Sequence, residues 1–283
     1  PIIENLVVEE FGAFVGQKQG RVVVTVKDKT VVEAPLLHLQ TIVVASNGVS
    51  VSSDVLAACS EEGIPIHFLD SLGRAYAAIY SAGLTGTVRT RRAQLKAYDE
   101  KVALVLARAL ARAKLKNQAG LLRYAAKYRQ ESAPAVYALL REAMTEVLVK
   151  TDEAMRVLPE AAHIETLREP LLAVEGQGAH HYWRGFGALL PQALQWPGRT
   201  GRGALDPVNS ALNYGYGILY GQIERAVVLA GLDPYAGFSH ADRPGKPRLV
   251  LDLVEPFRQP VVDRALLNFL NKGGEIEHDE KGL

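Results

Sequence analysis

Cysteine is almost absent from this 283-residue chain: Cys59 is the single one, which excludes an internal disulfide and any cysteine-based zinc cluster. Long apolar runs are absent as well. No window approaches the roughly eighteen uninterrupted apolar residues of a membrane span, and the N-terminus lacks a basic segment, apolar stretch and cleavage site in succession. The sequence therefore predicts a cytoplasmic protein with no membrane partner. Aromatic residues make up only 7% of the chain, but 48% of it is hydrophobic, enough for a real core and against disorder as the dominant state.

An overall excess of one charge is also missing, the formal net value being +1, yet the charges are unevenly placed. Residues 1–87 carry five Lys/Arg against nine Asp/Glu, a balance of −4, whereas residues 88–129 carry twelve against two, a local excess of +10. Two readings are open: the solvated face of long helices, or an electrostatic footprint for phosphates.

From Pro1 to about Ala82 the pattern is β. Short Val- and Ile-rich runs at 6–8, 13–15, 21–26, 30–32 and 42–45 are separated by Gly12, Gly16, Gly20, Asp28 and Gly48. One helix interrupts them, capped by Ser52 or Ser53, burying Val55, Leu56, Ala58 and Cys59, and ended by Gly63. Strands at 66–69 and 75–79 flank the turn Asp70-Ser71-Leu72-Gly73, and no catalytic constellation falls in this part. Near residue 85 the period becomes helical: Leu95, Val102, Leu106 and Leu110, then Leu121, Leu122 and Tyr128, then Val136, Leu139, Leu140 and Val147. Pro170 marks the first turn of the next helix, which carries Glu175 and, seven residues on and so on the same face, Tyr182. A Gly- and Arg-rich loop with Arg199 and Arg202, unpaired by nearby acids, precedes a long helix from about Asp206 to Ala230. The predicted fold class is α+β: an N-terminal β-rich domain over 1–85, followed by a larger all-α C-terminal domain over 86–283.

The densest chemistry lies between Gly231 and Arg264. A turn-rich loop delivers His240, and the apolar run 249–253 leads to Asp252 and Glu255, three apart and so on one face of a helix. Together they suit a hard metal ion. The alternative is equally concrete, because Arg248 lies four residues before Asp252 and Arg258 three after Glu255, and ordinary helix ion pairs would use both acids. His180 and His181 point about 100° apart on a helix and cannot serve one ion without partners elsewhere, so a surface or packing role suits them better.

Five separated segments follow one another in a telling order: Arg91-Arg92-Ala93-Gln94; Lys114-Leu115-Lys116-Asn117-Gln118; Val174-Glu175-Gly176 with Tyr182-Trp183 and Phe186; Asp206-Pro207-Val208-Asn209 with Leu212-Asn213-Tyr214-Gly215-Tyr216; and Gly231-Leu232-Asp233-Pro234 through His240 to Asp252-Leu253-Val254-Glu255 and Phe257-Arg258. In order and spacing the chain resembles the CRISPR-associated integrase family, the nearly universal nuclease of spacer acquisition, over nearly its whole length. The resemblance implies metal ligands at Glu175, His240 and Glu255, with Asp252 as a further ligand or a group behind one, and Mg²⁺ or Mn²⁺ as the ion. Arg91, Arg92, Lys114, Lys116, Arg199 and Arg202 would then neutralise DNA phosphates. Tyr182, Trp183 and Tyr216 are candidates to stack a splayed base, core packing being the other reading for each. The implied activity is metal-dependent transesterification that joins prespacer 3′-OH ends to the repeat in double-stranded DNA, with DNA endonuclease activity besides. The implied partners are a second copy, joined through the β-rich domain, and the small second protein of the acquisition complex. Competing readings are a metal-dependent nuclease resolving branched DNA and a non-catalytic structural DNA-binding subunit. The family's helical part ordinarily extends past the position of Leu283.

Overall fold

The computed structural model describes residues 2–70, 75–81, 87–157, 160, 163–201 and 204–276. The chain divides into two compact units, Pro1–Thr85 and Gly86–Leu283.

In the first unit β1 (Asn5–Val8), β2 (Phe14–Lys18), β3 (Arg21–Val26), β4 (Lys29–Pro35), β5 (Thr41–Val44) and β6 (Ser50–Val51) precede α1 (Ser53–Glu61), and β7 (Ile66–Leu69) and β8 (Ala75–Ile79) follow it. They form two sheets, ordered β1-β5-β7-β8 and β4-β3-β2-β6. Burial alternates along β1 and β3, which turns Leu6, Val8, Val22 and Val24 into one core with Ile42, Val44, Val55 and Ile66. Two-residue turns join β2 to β3 and β3 to β4, and all four turn residues, Gln19, Gly20, Lys27 and Asp28, have positive φ, the backbone twist that a tight hairpin requires. Gly16 does not separate strands as its type suggests; it lies inside β2 opposite Val23. The short strand β6 has no apolar run to announce it. Ser52 caps α1, accepting from the Val55 N–H at 3.3 Å, and Val55 and Cys59 form its buried face. Burial pushes the Cys59 thiol up to about 11, so it is inert core packing. Residues 71–73 of the predicted turn lie outside the described residues.

The second unit is helical: α2 (Thr87–Tyr98), α3 (Lys101–Ala126), α4 (Pro134–Arg156), α5 (Ile164–Gly187), α6 (Pro207–Leu229), α7 (Arg248–Val254) and α8 (Arg264–Asn271). Between α7 and α8 the chain passes through a 3₁₀ turn, Glu255–Phe257, and a wider π turn, Arg258–Asp263. An N-terminal strand-rich part followed by a mostly helical one is the α+β arrangement expected. Among the described residues no helix is long and apolar enough to cross a membrane.

Two expectations need correction. The buried face of α3 is not the Val102–Leu106 stripe, both of whose named residues are exposed, but Ala103, Ala107, Ala111, Leu115, Ala119 and Leu122. Small residues win that face because α4 and α5 lie close against it. Nor does Pro170 start α5: His163 caps the helix, accepting from the Glu165 N–H, and Pro170 sits inside it. There the proline forfeits one backbone bond, while Leu167 and Leu171 on either side are driven into the core.

Two glycines fix how α5 meets α3. A methyl group on Gly178 would overlap Leu115 Cδ2, and one on Gly185 would come within 2.7 Å of Leu122 Cδ2. The close approach carries Glu175, three residues before Gly178, against Lys114, the neighbour of Leu115.

Candidate metal centre

Glu175 on α5, Glu255 at the end of α7 and Lys114 on α3 meet in the interior of the helical unit. Lys114 Nζ donates to Glu175 Oε2 at 2.9 Å and lies 3.0 Å from Glu255 Oε2, and the three side chains, Lys114, Glu175 and Glu255, are only 17%, 7% and 12% exposed. Burial works against the ammonium, but Glu255 and Glu175 together hold its pKa above the usual lysine value. Burial likewise pushes the Glu255 carboxyl up, and Lys114 and Arg258 reverse this to leave its pKa below the usual value. Arg258 reaches Glu255 Oε1 at 3.1 Å, so the predicted i,i+3 ion pair exists.

Two prolines explain the backbone under Glu255. Pro260 has no N–H to offer the carbonyl four residues back, that of Pro256, and the Asn117 side chain donates to that oxygen instead, at 2.7 Å. Asn117 is three residues from Lys114 on the same helix, so one face of α3 holds both the carboxylates' cation and the turn that presents Glu255.

His240 is placed by Asp252. That carboxylate is 1% exposed and accepts from the backbone N–H groups of Phe238 (2.6 Å), Ser239 (2.9 Å) and His240 (3.1 Å), with the His240 Nδ1 atom 2.6 Å away. Nδ1 is therefore engaged, and Nε2 is the ring atom left for a ligand. Gly237 makes the approach feasible: a methyl there would lie 2.7 Å from the Arg248 carbonyl carbon and 2.9 Å from Asp252 Oδ2. At the loop's start Gln94 of α2 donates to the carbonyls of Asp233 and Ala236 and accepts from the Asp233 N–H, each at 2.8 Å. Asp252 and Glu255 thus do not act as one pair on a helix face. Asp252 ties down the loop, and Glu255, just past the end of α7, turns to Lys114. Among the described residues Arg248 makes no ion pair with Asp252.

The two tyrosines proposed for base stacking are core residues. Tyr182 is fully buried and donates to Asp263 Oδ2 at 2.6 Å, and Tyr216 donates to Asp263 Oδ1 at 2.5 Å. A ring enclosed on both faces cannot stack on DNA. Burial raises the Asp263 carboxyl to about 6, against the two hydroxyls and the charges of Arg258 and Arg199, which favour ionisation. Arg258 lies over the Tyr216 ring, 4.7 Å from its centroid, so the Asp263 cluster supports the arginine that grips Glu255. Asp263 has no motif to announce it; its one signal in the sequence is an acid at the buried end of an apolar stretch.

Of the candidate DNA-binding cations, Arg91, Arg92 and Lys116 are exposed, whereas Lys114 is turned inward. Arg199 is not the unpaired loop cation expected. It donates to Asn209 Oδ1 (3.1 Å) and Asn213 Oδ1 (2.7 Å) and lies over the Trp183 and Tyr216 rings, fastening its loop to α6. Arg202 lies outside the described residues.

The sequence profile of the family described as "CRISPR associated protein Cas1" matches residues 6–280. The chain belongs to the Cas1 family. A relative from Archaeoglobus fulgidus, named CRISPR-associated endonuclease Cas1 1, is 38% identical over 273 residues, covering 94% of this chain and 78% of that protein. Among solved structures, a casposase bound to integration product superposes with a TM-score of 0.77 at 20% identity, over 99% of this chain and 77% of that one. The Cas6-RT-Cas1–Cas2 complex superposes with a TM-score of 0.71 at 22% identity, over 99% of this chain and 30% of that one. At those identities the likeness is one of Cas1 fold.

In this Cas1 chain no group of three or more His, Cys, Asp and Glu side chains stands ready as a metal site among the described residues. The donor chemistry nevertheless suits a hard cation. Two nearly buried carboxylates flank the Lys114 ammonium, and the His240 imidazole is close enough to act on Glu255 electrostatically.

Proposed function

We propose that this Cas1 family member is a divalent-metal-dependent DNA integrase that joins the 3′-hydroxyl ends of a DNA fragment to a repeat by transesterification. The observation that carries this reading is the convergence of Glu175 and Glu255, from separate elements, on one buried cation position beside an imidazole held by Asp252. In the proposed reaction one phosphodiester forms as another breaks: the attacking 3′-hydroxyl loses its proton, and the displaced 3′-oxygen gains one. No external energy source is required. Mg²⁺ or Mn²⁺ bound by Glu175, Glu255 and His240 would stabilise charge on the phosphoryl oxygens and ease deprotonation of the attacking hydroxyl. The protein's own part is to hold the ligands rigidly. Asp252 orients the imidazole, and Asn117 and Arg258 fix Glu255.

DNA would lie along α3. Arg112, Lys116, Arg123 and Lys127 are exposed and follow at intervals of four, seven and four residues, a single stripe about 22 Å long at 1.5 Å per residue. The accessible aromatics near it are Tyr124 and Tyr128, an edge-to-face pair. The likeness to a casposase carrying its integration product and to a Cas1–Cas2 complex supports an integration substrate and a small second protein as partner. A homodimer through the first unit is supported by the exposed apolar side chains of Phe11 and Leu37.

Hydrolysis at the same site is a second reading, favoured by the name "endonuclease" on the Archaeoglobus fulgidus relative. Oligonucleotides ending in a normal or a 3′-deoxy terminus separate the two. Strand transfer should require the hydroxyl and vanish in Glu175→Gln and His240→Ala, both of which should retain DNA affinity. Wild-type joining by either variant would remove the ligand assignment, and equal cleavage with both termini would favour hydrolysis.

A further inference from the structure

The lysine in this site has no ordinary place in a surface grip on DNA. Its ammonium is inside the helical unit, within 3.0 Å of a carboxylate oxygen on each side, and its Cα is anchored where Leu115 packs against Gly178. Resting on the metal-ion reading above, we infer that Lys114 is the resident counter-ion of the metal-free site and that a divalent cation binds only as Lys114 gives up Glu175 and Glu255.

Three observations lead there. First, Glu175 and Glu255 are both nearly buried and point at the same spot, so without an intervening positive charge they would repel each other in a poorly solvated space. Second, the ammonium and a hard divalent ion want the same ligands, anionic oxygens. The atoms concerned are Glu175 Oε2 and Glu255 Oε2, and two cations cannot occupy one position between them. Third, Lys114 reaches the carboxylates on a flexible four-carbon stem, with a compact charge that moves without disturbing the helix. Glu255 keeps Arg258 on its other oxygen, so half of its charge compensation stays when Lys114 leaves.

Such an arrangement lowers the apparent affinity for metal, since only the fraction of molecules with Lys114 withdrawn is competent to bind. It also keeps the metal-free site folded. Lys114 is thus a positioning residue: it preserves the spacing of the two carboxylates until an ion replaces it.

The test is Mn²⁺ binding by the full chain without DNA, followed by the paramagnetic resonance signal of the free ion, together with melting temperatures in the presence and absence of Mn²⁺. Lys114→Met should bind Mn²⁺ at least tenfold more tightly than wild type, and Mn²⁺ should raise its melting temperature by more. Lys114→Arg, which keeps the charge, should bind no more tightly than wild type. A finite affinity unchanged in Lys114→Met overturns the displacement while leaving the metal site standing. Tighter binding by Lys114→Arg overturns it too, even if the methionine variant is too unstable to titrate. No binding by any of the three proteins overturns both the displacement and the metal-ion reading.

Discussion

Asp263 illustrates how a single buried group sets a dependence on pH. It faces the hydroxyls of Tyr182 and Tyr216 and the charges of Arg258 and Arg199, and burial still leaves its carboxyl at about 6 in the folded protein. That value lies above the ordinary 3.8, so between the two the folded state holds the proton more tightly than the unfolded state does. Its contribution to stability therefore falls as pH rises from about 4 to 6 and is flat above. The drop is of order 2–3 kcal/mol at 1.36 kcal/mol per pKa unit. Compared with Asp263→Asn, which cannot ionise, the wild type should lose that amount between pH 4 and pH 7, read from urea midpoints. A difference that does not change with pH would refute the assignment. Glu255 runs the other way. Burial opposes its charge, but Lys114 and Arg258 depress its folded pKa, so its stabilisation is present above about pH 4.5 and is lost as pH falls through the lower folded value. Residue types alone expose His240, Asp252 and Glu255 as candidates, because acids and an imidazole near turns are conspicuous in a sequence, whereas Glu175, in the middle of α5, is reached only through the resemblance to the integrase family. Residue types do not show that Lys114 points inward, since a lysine in a basic run looks the same whether its last carbon meets water or a carboxylate.

At the scale of elements, α3 and α5 share one seam, and its glycines are as important to the placement of Glu175 as the Lys114 ammonium that it meets. Gly178→Ala would gain helix propensity of about 1 kcal/mol and incur an overpacking cost of about 1–3 kcal/mol against Leu115. The expected result is a net loss of stability with a larger loss of strand transfer, as Glu175 is levered away from Lys114. A Gly178→Ala protein as active and as stable as wild type would mean the seam is slack. The helices of the second unit are legible because apolar period and glycine punctuation both survive in the sequence. The buried face of α3 is not, since it is made largely of alanines, which hydrophobic patterning ranks below Val102 and Leu106 although those two are exposed. The start of α5 is obscured for a related reason. Local proline chemistry favours a first turn, but burial of Leu167 and Leu171 keeps the helix running on both sides of Pro170.

For the whole molecule, charge and association are the testable properties. Changing Arg112, Lys116, Arg123 and Lys127 to glutamine should weaken DNA binding for all sequences alike and flatten the slope of log affinity against log salt, by up to about 0.9 for each phosphate no longer neutralised. An unchanged slope would leave the stripe as a solvated face. Sedimentation addresses the proposed dimer: Phe11→Glu with Leu37→Glu should shift the full chain toward the monomer, and an unaltered sedimentation coefficient would place the interface elsewhere.

The π turn after Glu255 has a consequence for chain length. A turn bonded at five-residue spacing contains one residue more than an α turn, so the segment Arg258–Asp263 carries slack of a single residue. Deleting one residue there lets the stretch tighten to α while Glu255 upstream and Leu267 downstream keep their relative phase. The same deletion in the middle of α5 would swing Glu175 through about 100° away from its partners. A single-residue gap beside Glu255 should therefore disturb helix phase less than one in α5, and what it would forfeit is the anchorage of Asp263 to Tyr182 and Tyr216.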